Sequence, residues 1–273
     1  MPPFRIHGPI CEVRDWYKDL DDGTLARAPS PVPAAFGSTT AAPAKVVASG
    51  NCAFLNPKAV GTVQVPKAAF DRLRKDSPAA KISSPKAKDS QVWPDKSTGP
   101  AIEQDIEIGS QKIKLIRPTD DKVAGKNLPT TAQVAEALRA IPAAERAYTK
   151  TVILSPSPAP GSTPKKTIAG EAGSGEIDLY PVGEVQSQED FDNRLTHEAG
   201  HNYQEKLWGG AKGVHEWQEA ADADNRRPSP YAANNTGDDF SEFSILYNTA
   251  KGTTCEAIGR KIYPNRWKKM DGY

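Results

Sequence analysis

The sequence predicts an α+β fold, and three observations carry that reading. A turn-punctuated, alternating stretch at 102–116 reads as a β-hairpin, and two short apolar runs at 151–155 and 176–181 read as further strands. One helix sits among them, and the clearest helical patterns gather afterwards, from residue 187 onward. That order differs from the regular strand–helix alternation of a parallel sheet and indicates α+β.

Residues 1–50 show little periodicity, and Ala26 to Gly50 is rich in Ala, Pro, Ser and Thr, which suits a loop-rich segment. Val63-Gln64-Val65-Pro66 suggests a short strand, and Ala68 to Lys75 a helical turn or two. From Asp76 to Pro100 the chain returns to Ser, Pro and Lys. A boundary is expected there, dividing a Pro/Ser-rich N-terminal region (1–100) from a domain at 101–273.

In the hairpin, Ile106 and Ile108 alternate with charges, as do Ile113 and Leu115, and Gly109-Ser110 suits a type II′ turn. Thr130 is placed to cap a helix with Val134, Leu138 and Ile141 on one face, ending at Pro142. Thr151 to Ser155 reads as a buried strand, and Glu176 to Pro181 as a half-exposed one with Ile177 and Leu179 on one side. Ser187 followed by Asp190 resembles a capping box. Beyond it Phe191, Leu195, Ala199, Tyr203 and Leu207 recur every four residues until Gly209-Gly210. Asp238 to Ala250 and Glu256 to Ile262 read as the last helices.

Composition narrows the function classes. With 24 prolines and 21 glycines, and only 37% hydrophobic residues, the chain carries a modest core and much loop. Basic residues number 35 against 34 acidic, a net charge of +1, which argues against a nucleic-acid-binding surface as the main business. No apolar run approaches the roughly 18–20 residues that span a bilayer. The first twenty residues lack the uninterrupted apolar segment of a Sec signal, so the expectation is synthesis in the cytoplasm and export only by a dedicated machine. Cys11, Cys52 and Cys255 hold no CxxC spacing, which disfavours a thiolate zinc site. Unpaired thiols are the ordinary expectation, with Cys11–Cys52 the pair an oxidising compartment would suggest.

Within the best-defined helix lies His197-Glu198-Ala199-Gly200-His201, an HExxH motif. Positions i and i+4 share a helix face, so both imidazoles reach one cation, and zinc suits neutral imidazole nitrogen. Glu198 follows the first histidine and is placed to take a proton from a water acidified by zinc. Two of the chain's four histidines fall in this motif, which a chance match rarely achieves. A catalytic site needs a third protein ligand. His215 lies 14 residues beyond His201 (215 − 201), too far for the extended HExxHxxGxxH pattern. Glu216 and Glu219 follow it, and Asp238 and Glu242 form an i, i+4 pair at the start of the next helix. Helix-dipole preference for N-terminal acids would by itself explain Asp238 and Asp239.

An HExxH helix, then Tyr231, Asp238 seven places on (238 − 231) and Phe240-Ser241-Glu242 together resemble the zinc peptidases related to anthrax lethal factor and the Pro-Pro endopeptidases. The likeness is close over about 187–247, loose from about 129, and does not reach residues 1–100. It implies a zincin-like fold and peptide-bond hydrolysis. It further implies Zn²⁺ held by His197, His201 and either Asp238 or Glu242, with Glu198 as base and Tyr231 as oxyanion donor. The ligand position is usually Glu in such proteins and here is Asp, which leaves the third ligand open between Asp238 and Glu242. The resemblance also implies a peptide or protein substrate lying along an edge strand, expected at Glu176–Pro181, and suggests a toxin-like effector with secretion machinery or a cognate inhibitor as partners. A zinc-holding module without turnover and an amidase of cell-wall crosslinks are the rival readings.

Overall fold

A computed structural model describes residues 50–120, 122–123, 126–163, 167–182 and 187–273; the readings made for residues 1–49, including Cys11, lie outside these. The described chain is mixed α and β, built on a seven-stranded open sheet. Strands β1 (Ala80–Ile82) and β2 (Lys86–Val92) both pair with β3 (Thr98–Ile108). β3 turns at Gly109-Ser110 into β4 (Gln111–Pro118), with Ile108 opposite Gln111. Gly109 has the positive φ (62°) that the first turn position of the expected type II′ hairpin requires. A small separate ribbon follows, β5 (Lys122–Val123) with β6 (Lys126–Asn127). β7 (Thr151–Leu154) then lies parallel to β4. β8 (Gly170–Gly173) and β9 (Glu176–Leu179) form a hairpin that closes the sheet, in the order β1-β3-β4-β7-β9-β8.

Two sequence expectations are corrected here. The strand at 176–179 is not the edge: it sits parallel to β7 on one side and antiparallel to β8 on the other. The edge belongs to β8, whose sequence Gly-Glu-Ala-Gly has no strand-forming residue and becomes a strand by pairing through the Ser174-Gly175 turn. Both turn residues have positive φ (54° and 84°), as a tight I′-type turn needs. The segment Val63–Pro66 is extended but pairs with no strand, because its backbone groups bond to side chains instead.

The helices are α1 (Lys67–Asp76), α2 (Thr131–Arg139), α3 (Ala143–Arg146), α4 (Gln188–Trp208), α5 (Ala211–Ala223), α6 (Thr236–Ala250), α7 (Glu256–Ile262) and α8 (Pro264–Asp271). The capping boxes at Thr130/Gln133 and Ser187/Asp190 start α2 and α4, and Gly209 in the left-handed region ends α4. α3, α5 and α8 have no counterpart among the helices the sequence predicts.

α4 serves two cores. An i+4 repeat drifts by about 40° per step around a helix of 3.6 residues per turn, so a five-member stripe winds across two faces. Phe191, Leu195 and Ala199 face the sheet with Ile106, Leu115, Val152 and Ile177. Tyr203 and Leu207 pack instead on a helical core of Phe70, Trp217, Phe240, Phe243 and Trp267.

Residues 50–100 are not a separate unit. Cys52, Phe54, Leu55, Val63, Val65 and Phe70 are buried in the helical core, and β1 and β2 extend the main sheet. Cys52 is disulfide-bonded to Cys255 across that core, at variance with both expectations for the cysteines. A partner 203 residues away is brought close only by the finished fold. No described helix is long and apolar enough to cross a membrane.

Candidate metal centre

α4 and α6 cross where both carry small residues. A methyl group on Gly200 would stand 3.0 Å from the Ser241 Cα, so the glycine permits the approach that brings Asp238 and Glu242 against the HExxH face. Asn235 caps α6: its Oδ1 accepts from the Asp238 backbone N–H at 2.8 Å, and its Nδ2 donates to Asp238 Oδ2 at 2.9 Å. Asp238 is thereby held with Oδ1 toward the imidazoles. The dipole account of the paired acids fails to separate them, whereas the structure does. Asp239 points the other way, accepting from Trp217 Nε1 and Arg266.

His197 Nε2 and His201 Nε2 are 3.2 Å apart, and Asp238 Oδ1 lies 3.9 and 3.6 Å from them. Ligands at about 2.0–2.1 Å from a tetrahedral zinc stand about 3.3 Å apart, so these three atoms fit three corners of its shell. The last two distances are too long for hydrogen bonds, and Asp238 Oδ1, although buried, has no hydrogen-bond partner. A buried carboxylate oxygen without a partner is costly unless a cation supplies one. His197, His201 and Asp238 form the one group among the described residues that could hold a metal in this way.

Glu242 takes a different place. Its Oε1 is 3.3 Å from His197 Nδ1, while its Oε2 accepts from Ser229 Oγ (2.8 Å) and from the Val63 backbone N–H. A carboxylate on Nδ1 fixes the tautomer that leaves Nε2 free to ligate. Tyr231 sits in a short 3₁₀ turn with its ring edge-on to His197, centroids 5.5 Å apart. Glu198 is buried against β8: a Cβ on Gly170 would fall 2.5 Å from its Oε1, and its Oε2 has no hydrogen-bond partner. These groups line a cleft of about 250 Å³ together with Thr62–Gln64, Ala169–Gly170 and Arg194.

The electrostatics suit a dication. Burial pushes the Asp238 carboxyl up to about 8 and the Glu198 carboxyl up to about 7. Burial opposes charge on His197, but the Glu242, Glu198 and Asp238 carboxylates outweigh it and raise the imidazole to about 9. His201, buried beside that imidazole, is driven well below its usual value. Burial thus keeps protons on carboxyls at this site, and a divalent ion would displace them and hold the carboxylates ionised.

The chain matches no family model, and no curated protein or solved structure is significantly similar to it. The likeness to lethal-factor-type peptidases therefore rests on the motif residues alone. His215, Glu216 and Glu219 are not at the site: they lie on α5, where His215 is exposed beside Glu219 (3.2 Å) and Glu216 pairs with Lys269 (2.6 Å). Sequence reasoning missed Gly170, Ser229, Asn235, Arg194 and the Val63 backbone. Asn235 alone left a signal, as an N-cap residue three places before Asp238.

Proposed function

We propose that the protein is a zinc-dependent peptidase of the lethal-factor-like kind, with a zincin-like catalytic core. The observation that carries this reading is the convergence of His197 Nε2, His201 Nε2 and the unpartnered Asp238 Oδ1 beside an equally unpartnered Glu198 oxygen. The two imidazoles and Asp238 would hold zinc, which when bound supplies Lewis acidity and brings a water's pKa to about 7. Glu198 accepts the proton of the attacking water and returns it to the leaving amine. Glu242 holds the His197 ring, and Tyr231 donates to the oxyanion. The open edge of β8 offers backbone pairing to an extended peptide, the role the resemblance implies for an edge strand. Export by a dedicated machine and restraint by a cognate inhibitor belong to the same reading.

The test is elemental analysis together with a peptidase assay of the zinc-loaded chain. One zinc per chain and measurable cleavage are expected, and Glu198→Gln should retain the zinc while losing at least about a hundredfold in turnover. Failure of the metal-free protein to bind zinc overturns the site. Zinc binding with no turnover on peptides favours a binding module, and cleavage of cell-wall fragments alone favours an amidase.

A further inference from the structure

Arg194 lies one turn before Glu198 on α4 and lines the same cleft. It is half-buried, yet its guanidinium makes no hydrogen bond and no ion pair to any described residue. One acid on its own helix face, Asp190, is occupied by the backbone and hydroxyl of Ser187 in the capping box. Glu198, four residues on, attracts the guanidinium only through space, its carboxylate being set against Gly170. Burial lowers the arginine to about 10, so it stays charged at neutral pH. The five donors of a guanidinium, partly stripped of water and facing a cleft, call for an acceptor that no described residue provides.

Building on the peptidase reading, we propose that Arg194 is a specificity-determining residue that binds a carboxylate of the substrate. A fork of parallel N–H groups matches a carboxylate in two-point fashion, and such charge-assisted bonds are stronger than those to a peptide carbonyl. Distance sets where that carboxylate sits. Four helical residues rise about 6 Å, and an extended peptide advances about 3.3 Å per residue. The carboxylate therefore belongs within about two residues of the scissile bond. It is either an Asp or Glu side chain or the free C-terminus of a short product, and the chemistry is shared.

The experiment uses the zinc-loaded full chain and two positional-scanning peptide libraries, one with amidated and one with free C-termini. Wild type should prefer Asp or Glu over Asn or Gln at one fixed position, or require the free terminus, by about 10–100-fold in kcat/KM. Arg194→Met should bring kcat/KM for the acidic peptides down to that for their amide counterparts, and Arg194→Lys should restore part of the difference. An equal loss on acidic and amide peptides assigns Arg194 to the transition state and overturns the proposal, as does an unchanged preference in Arg194→Met. If no peptide is cleaved, binding of both libraries to zinc-loaded Glu198→Gln is measured instead. Acid-over-amide discrimination that disappears with Arg194→Met upholds this inference even though the peptidase reading fails. Cleavage without carboxylate preference does the reverse.

Discussion

A single missing methyl group at residue 170 decides where the Glu198 carboxylate lies. Alanine there would press on Glu198 Oε1, Cδ and Cγ at 2.5, 2.8 and 2.9 Å, and a side chain, unlike a backbone, can give way. Gly170→Ala is therefore expected to fold and to bind zinc normally while losing up to about 100-fold in turnover, as displacement of a reacting group by about 1 Å does. Unchanged kinetics in a correctly folded variant would show that Glu198 is not the base. The two acids of α6 make a second test. Asp238 Oδ1 faces both imidazoles, whereas Glu242 touches only His197 Nδ1. Loss of a residue orienting a ligand costs about 10–100-fold in metal affinity, and loss of a ligand costs more. Zinc competition titrations should accordingly rank the variants wild type, Glu242→Ala, Asp238→Ala in order of weakening affinity. Reversal of the last two exchanges their roles.

At the level of elements, α3 is tied to α6 by a buried acid outside the site. Glu145 Oε2 accepts from Asn248 Nδ2 at 2.6 Å, its Oε1 has no partner, and burial pushes the carboxyl up from 4.5 to about 7. Raised in the folded state, this group costs nothing below about pH 4.5, and stability falls as pH rises through the folded value near 7. The loss attributable to Glu145 reaches about 3 kcal/mol above that. Urea denaturation at pH 5 and pH 8 should show a smaller drop in Glu145→Gln than in wild type; identical drops would mean that the carboxyl ionises freely in the fold. The elements also show what a sequence discloses. α2 and α4 were legible because caps and apolar spacing agree locally, α6 through the spacing of Phe240, Phe243 and Tyr247 alone, and the HExxH residues came with α4. β8 was not, since Gly-Glu-Ala-Gly owes its strand to β9 and to a turn, not to its own side chains. β2 reads Lys-Ala-Lys-Asp-Ser-Gln-Val, a mostly exposed strand whose polarity looks like a linker until β3 pairs with it. The strap at 62–65 is legible only in three dimensions, because its partners Asn193 and Glu242 lie 128 and 179 residues away.

Across the whole molecule the Cys52–Cys255 bond joins a 3₁₀ helix at Gly50–Leu55 to the start of α7. Closing a loop of 203 residues removes unfolded-state entropy equivalent to about 5 kcal/mol in the chain-entropy treatment, with about 2–5 kcal/mol lost when such a bond is removed from a small domain. Thermal melts should show Cys52→Ser, Cys255→Ser and the double variant equally destabilised, and a reductant lowering wild type to the same level. A reductant-insensitive melt would mean that the bond does not form. The cysteines were opaque in sequence for the same reason the strap was: their proximity is a product of the helical core. The bond also makes the polypeptide between the two sulfurs a covalent ring that contains His197, His201, Asp238 and Glu242. A single cut inside that ring, whether by another protease or by a second copy of this chain, sheds no fragment. The pieces part only when a reductant and a denaturant act together, so damage of this kind is visible on a reducing gel and hidden on a non-reducing one.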